Sequence, residues 1–320
     1  MSAHSASSWR TLVACEEVHA ALDASRQRAT AEGSAARAGA TTGRAPAELV
    51  VVDCRFSLSA PAAGAGAVEA TGEAAWRTAR IPGARYAHLD RDLSGPHRPG
   101  AGRHPWPDPV AFATTIAGWG IGPDTRVALY DDGDGAMAAR LWCLLRASGH
   151  REVAVVDGGW ARWRELGLPQ ETGAPAAVAV PAIRPATSHW RAPPLDADDV
   201  RAHLKAGLPL IDARAAARFR GETEPLDRVA GHVPGALNRP YAENLEEGRF
   251  KSATVLRAEF LALLGEHEPG QAVLMCGSGV TACHHLLAMA HAGLDGARLY
   301  AGSWSGWIEN PTRPVATGSA

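Results

Sequence analysis

Leu49-Val-Val-Val-Asp-Cys-Arg55 and Leu208-Pro-Leu-Ile-Asp-Ala-Arg214 are two versions of one pattern, a short apolar run closed by Asp-x-Arg. An apolar run of that length bounded by polar residues is the signature of a buried strand. Three further matches follow in the same order. Ile81-Pro-Gly-Ala84 pairs with Val233-Pro-Gly-Ala236, and Val127-Ala-Leu-Tyr130 before Asp131-Asp-Gly-Asp-Gly135 pairs with Val273-Leu-Met275 before Cys276-Gly-Ser-Gly279. Val156-Asp-Gly-Gly-Trp160-Ala-Arg-Trp163 pairs with Tyr300-Ala-Gly-Ser-Trp304-Ser-Gly-Trp307. Four ordered matches make the chain a duplicated domain. Within each copy the short strands alternate with helix-like stretches, Ala136 to Ser148 and Thr281 to Gly293. That alternation predicts an α/β fold, two tandem domains, each a mainly parallel sheet with helices on both faces.

The boundaries expected are 1–172 for the first domain, 173–188 for a Pro- and Ala-rich linker and 189–320 for the second. Residues from about 27 to 47, rich in Ala, Gly, Thr and Arg without apolar period, are expected as a flexible insertion. In 320 residues, 32 Lys and Arg stand against 34 Asp and Glu for a net charge of −2, which argues against a nucleic-acid face. Five cysteines without regular spacing predict free thiols and a reducing compartment. No apolar run is long enough to span a bilayer, so the expected location is cytoplasmic.

Chemistry is expected beyond the carboxyl ends of the strands, where loops run into helix N-termini. Cys276 ends one such strand and opens the loop Gly277, Ser278, Gly279, Val280, Thr281, Ala282. Amides of a Gly-rich loop and the helix dipole converge there, an arrangement that lowers a thiol pKa from about 8.5 towards roughly 3.5–7.5. The same amides would stabilise a second sulfur carried on the first.

Taken with the duplicated halves, Cys276-Gly-Ser-Gly-Val-Thr-Ala282 resembles the active loop of the tandem-domain rhodanese superfamily, most of all its 3-mercaptopyruvate sulfurtransferases. The resemblance implies a catalytically silent first half, in keeping with Asp131 at the position of Cys276, and a cysteine that becomes a persulfide. It implies no metal and no bound cofactor beyond that transient persulfide. A small-molecule sulfur donor and a thiol acceptor such as thioredoxin, or cyanide, are the implied partners. Thiosulfate sulfurtransferases of the superfamily place Arg and Lys directly after the cysteine. Here those positions are Gly277 and Ser278, so 3-mercaptopyruvate is expected as the better donor and thiosulfate as the alternative. Its leaving group, pyruvate enolate, must gain a proton on carbon, which makes Ser278 the expected relay residue beside Cys276.

The segment Arg218-Phe-Arg-Gly-Glu-Thr-Glu-Pro-Leu-Asp-Arg228 resembles the superfamily stretch with two substrate-binding arginines, which assigns Arg218 and, with a shift of one residue, Arg228 to the donor carboxylate. Arg214, in Asp212-Ala-Arg214, is expected to be structural, pairing across the base of its domain as its twin Arg55 would. Arg80 stands where the resemblance leads one to look for a relay histidine, so that the relay is absent, rebuilt or served by another group such as His88. His232 reads as a turn residue. The Trp160, Trp163, Trp304 and Trp307 cluster reads as packing. A phosphatase is disfavoured because Ala282 lacks the phosphate-holding Arg. A metal site from Cys276, Cys283, His284 and His285 is disfavoured because consecutive helical residues point apart. A noncatalytic sulfur-binding module is the remaining alternative, disfavoured by the intact cysteine loop.

Overall fold

In the computed structural model, which describes residues 9–37, 49–56, 70–174 and 189–319, the repeated patterns build two parallel sheets. The first half runs β1 (Leu12–Val13), α1 (Cys15–Arg37), β2 (Leu49–Asp53), α2 (Ala70–Thr78), β3 (Ala79–Arg80), β4 (Arg85–Tyr86), α3 (Leu89–Asp92) and α4 (Pro109–Gly118). It continues through β5 (Arg126–Tyr130), α5 (Ala136–Ser148), β6 (Val153–Val156), α6 (Gly159–Glu165) and β7 (Glu171–Thr172). Its sheet has the order β1-β6-β5-β2-β4 with all neighbours parallel. β3 and β7 pair separately, antiparallel.

The second half runs α7 (Ala197–Lys205), β8 (Leu210–Asp212), α8 (Ala216–Phe219), β9 (Leu237–Asn238), β10 (Leu245–Glu246), β11 (Arg249–Phe250) and α9 (Ala253–Leu264). β12 (Val273–Met275), α10 (Ala282–His291), β13 (Arg298–Leu299) and α11 (Ser303–Trp307) complete it. Its sheet, β13-β12-β8-β9, is again all parallel. Leu195, bridged in parallel to Tyr300, takes the edge that β1 takes in the first half.

The duplication extends to side chains. Arg55 Nη2 lies 2.6 Å from Asp53 and Arg214 Nη2 lies 2.7 Å from Asp212, each pair buried: both arginines are structural, and each pairs with the aspartate of its own Asp-x-Arg. Arg55 lies over Trp160 at 5.0 Å and Arg214 over Trp304 at 4.8 Å. Trp163 and Trp307 donate to Pro169 and Pro314, both at 2.9 Å. All four tryptophans are buried, so the cluster packs each half against the far side of its sheet.

One apolar core joins the halves. α5 and α10 lie against each other, and Leu141, Leu144 and Leu145 share a cluster with Leu287, Ala288 and Met289. Each buried Leu or Met side chain there contributes about 1.5–3 kcal/mol over leaving it in water. This face-to-face packing brings loops of the first half over the end of β12.

α1 runs to Arg37, so residues 27–37 of the expected insertion are helical and not a loop. Ala, Gln, Glu and Arg there favour helix intrinsically, without needing an apolar period. Residues 38–47 of that segment, and 175–188 of the expected linker, lie outside the described residues. Among the described residues no helix is long and apolar enough to cross a membrane.

Candidate active site

β12 ends at Met275, and the chain turns through Cys276 to Thr281 before α10 begins. Cys276 is 1% exposed. Its backbone N–H donates to Ser303 Oγ (3.1 Å) and its carbonyl accepts from the Trp304 N–H (2.9 Å), which fixes the residue between β12 and α11. The Gly279 N–H points at Cys276 Sγ, 3.1 Å away. Gly279 has φ +77°, and a β-carbon there would lie 2.4 Å from the Ala301 carbonyl, so this turn admits only glycine.

The equivalent turn of the first half displays what the cradle can hold. Asp131 occupies the cysteine position, and its carboxylate accepts four backbone N–H groups, from Gly133 (3.1 Å), Gly135 (2.9 Å), Met137 (2.9 Å) and Ala138 (3.1 Å). Burial, with Asp134 nearby, pushes that carboxyl up to about 6. A ring of converging amides around a negative group is the geometry an anionic sulfur requires. In the second half a cysteine replaces the carboxylate.

Ser278, 3% exposed, places Oγ 2.7 Å from His104 Nδ1, and His104 Nε2 lies 3.2 Å from Asp90 Oδ1. The hydrogen bond from His104 holds the Asp90 carboxyl below its usual range, so Nε2 carries the proton and Nδ1 accepts from the serine hydroxyl. Burial pushes the His104 imidazole down from its ordinary value, with the Arg140 and Arg103 cations helping and Asp90 opposing. The ring is neutral at pH 7 and can pass protons through Ser278.

The first half builds this arrangement. His88 caps α3, its Nδ1 accepting from the N–H groups of Asp90 (3.2 Å) and Arg91 (3.4 Å), which sets Asp90 beside His104. Arg140, fully buried on α5, donates Nη1 to the Gly279 carbonyl (3.1 Å) and Nη2 to the carbonyls of Leu93 (3.2 Å) and His104 (3.0 Å). One guanidinium thus clamps the cysteine loop to the segment that carries His104.

Arg218 sits at the mouth of the loop. Its Nη2 lies 2.6 Å from Glu224 and 3.3 Å from Asp227, and Asp227 also binds Nη1 of Arg103. A β-carbon at Gly277 would lie 3.2 Å from Arg103 Nη2 and 3.5 Å from Arg218 Nη1. The neutral loop is therefore flanked by two guanidiniums. Arg228, by contrast, donates to the Ile308 carbonyl and is not among the atoms nearest Gly277.

The structure brings Cys276, Ser278 and Arg218 together. Arg80 takes no part in this site: it is fully buried, paired with Glu171 and donating to Gly173 (2.8 Å), tying β3 to β7, and the histidine hydrogen-bonded to Ser278 is His104. His232 donates to Phe219 O (2.8 Å) and stacks on that ring, a structural role as expected. His284 and His285 both accept from Asn244 Nδ2 (3.0 and 2.8 Å) and donate to the Asp134 (2.8 Å) and Arg239 (2.7 Å) carbonyls. His104, Asp90, Arg103 and Arg140 escape sequence reasoning because Asp90, Arg103 and His104 lie in a stretch without a counterpart in the repeat. The available signal is Arg103-His104-Pro105-Trp106-Pro107, a histidine held stiff by two prolines.

A model described as rhodanese-like domain matches residues 42–166 and 196–310. The chain is 46% identical over 278 residues to a Pseudomonas aeruginosa protein named a probable 3-mercaptopyruvate sulfurtransferase, covering 85% of this chain and 93% of that protein. It is 37% identical over 276 residues to a Mycobacterium tuberculosis protein provisionally named a thiosulfate sulfurtransferase, covering 84% and 91%. Among solved structures, the 3-mercaptopyruvate sulfurtransferase of Leishmania major superposes with a TM-score of 0.72 at 27% identity, covering 92% of this chain and 73% of that one.

Proposed function

The chain belongs to the rhodanese-like family, in two tandem copies, and is a sulfurtransferase; on that premise we propose that it moves sulfur from 3-mercaptopyruvate through a persulfide on Cys276 to a thiol such as thioredoxin, or to cyanide. Cys276 Sγ attacks the sulfanyl sulfur. The Sγ–S bond forms as the C3–S bond breaks, and the electron pair leaves on carbon as the enolate of pyruvate. The proton released from the sulfanyl group ends on C3, so the products are a deprotonated persulfide and pyruvate. Ser278 and His104 lie in line to carry that proton, with Asp90 orienting the imidazole. The amides from Gly277 to Ala282 receive the charged outer sulfur, as those of the twin loop receive Asp131. Arg218 binds the donor carboxylate, its planar fork already oriented by Glu224.

The observation that carries this reading is the hydrogen-bonded chain Ser278–His104–Asp90. Thiosulfate leaves as sulfite and needs no proton on carbon. A pyruvate enolate does. The paired guanidiniums at Gly277 and the mycobacterial relative keep thiosulfate as a second, poorer donor. Steady-state kinetics with the two donors test the ranking: kcat/KM for 3-mercaptopyruvate is expected to exceed that for thiosulfate by at least about tenfold, or about 1.4 kcal/mol of transition-state binding. Equal efficiencies, or a preference for thiosulfate, would overturn it.

A further inference from the structure

We propose that a cavity at the seam of the two halves, away from Cys276, is a binding site for a small organic anion with an apolar body, an aromatic or branched carboxylate. The cavity has a volume of about 580 Å³, and no residue of the Cys276 loop lines it. Ligand sites commonly measure roughly 300–1,000 Å³. The first half contributes Trp106, Trp142 and the last turn of α5, and the second half contributes Leu286 and Met289 of α10 and Leu294 just beyond it. Trp106, Trp142, Met289 and Leu294 are buried and still border the space, so the cavity reaches into the apolar core that joins the halves. Two indole rings in the lining suit an aromatic or branched body.

The charge of the lining decides the sign of the ligand. Three arginines, Arg146, Arg191 and Arg298, stand there against one acid, Asp295. All three arginines are exposed while the tryptophans are buried, which puts the cations at the mouth and the apolar surface behind them. Arg146 Nη1 donates to the carbonyls of His150 (3.4 Å) and Arg151 (3.3 Å), and among the described residues none of the three guanidiniums pairs with a carboxylate. Arg191 is held in place by its backbone N–H, which donates to the Ala147 carbonyl (2.8 Å). Gly149, with φ +94°, ends α5, and a β-carbon there would lie 2.4 Å from Arg191 Nε, so the missing side chain lets this guanidinium lie against the end of the helix. A carboxylate at the mouth takes the unused guanidinium edges, and its apolar body displaces water from the tryptophans. A small polar dianion would instead lose hydration against apolar walls. Because both halves line the cavity, an occupant adds contacts between them and stabilises the docked molecule.

The test titrates 2-naphthoate, and 2-naphthamide as its neutral counterpart, into the full-length protein by calorimetry, with no sulfur donor present. The acid binds saturably and raises Tm, and the amide binds about tenfold more weakly or less, the loss expected for one charge-assisted hydrogen bond. Combining Arg191→Ala with Arg298→Ala weakens the acid by about tenfold or more and leaves the amide unchanged. The circular dichroism of this variant matches the parent, both side chains being exposed. Ala290→Phe, which sets a ring in the lining, removes binding of both compounds. Arg218→Ala and saturating thiosulfate leave the affinity for 2-naphthoate as it is, because they act at the Cys276 loop. Equal affinity for acid and amide would overturn the proposal, as would unchanged binding in the double arginine variant or no saturable binding in the parent. Displacement of 2-naphthoate by thiosulfate would place it at the Cys276 loop and equally overturn it.

Discussion

Burial favours the neutral form of His104, and under the proposed relay this sets where activity is lost in acid. A free imidazole gains its proton as pH falls through about 6.5. Burial pushes the His104 value lower, so Nδ1 remains an acceptor throughout the neutral range and is lost only further into acid. With 3-mercaptopyruvate, the acid-side loss of kcat/KM is expected to set in at lower pH than protonation of a free imidazole would give. His104→Ala is expected to lower kcat for this donor by about 10²–10⁴-fold, the usual contribution of a positioned proton carrier, while persulfide loading from thiosulfate falls much less. Stopped-flow pyruvate release across the pH range measures the first, and loss of both donors together would contradict the relay. At this scale Cys276 and Ser278 were legible because their strand, loop and helix are contiguous in sequence. His104 was not: its contact with Ser278 spans 174 positions and depends on how two domains dock. Arg228 illustrates the converse, a residue matched by likeness that the fold turns to a backbone carbonyl.

α10 carries the loop and also two histidines, His284 and His285, that are fully buried and satisfied as neutral rings. Burial pushes them down to about 4 and about 3. The unfolded chain takes up a proton at each as pH falls through about 6.5, and the folded chain does not until about 4 and 3, so each contributes stability that is present above pH 6.5 and lost below it. The slope is about 1.4 kcal/mol per pH unit per histidine. Urea unfolding between pH 6.5 and 4.5 is expected to lose stability less steeply by that amount in His285→Gln than in the parent, whatever the offset at pH 7. Identical slopes would contradict the buried neutral state. Elements as such were largely legible. The helical start of the 27–47 segment was not, since Ala-rich sequence without apolar period can be helical while showing no face to pack.

Across the whole molecule, the two halves contribute different parts to one place. In the first half Asp131 fills the equivalent cradle, and that half sets His104, Asp90, Arg140 and Arg103 around the loop of the second. The repeat itself could be read because each of its motifs is local. The docking could not, because it is settled by the faces of α5 and α10 and by the buried Arg140, which sequence periodicity does not single out. The central claim, a single persulfide-forming cysteine served by both halves, is tested most directly by mixing the acceptor-free protein with 3-mercaptopyruvate and counting pyruvate released against sulfur retained, with mass spectrometry locating the added sulfur atom. The account predicts one pyruvate and one persulfide per chain, the sulfur on Cys276, no loading in Cys276→Ser and nearly full loading in Cys283→Ser. Pyruvate release that persists in Cys276→Ser, or sulfur found on another cysteine of the parent, would contradict it.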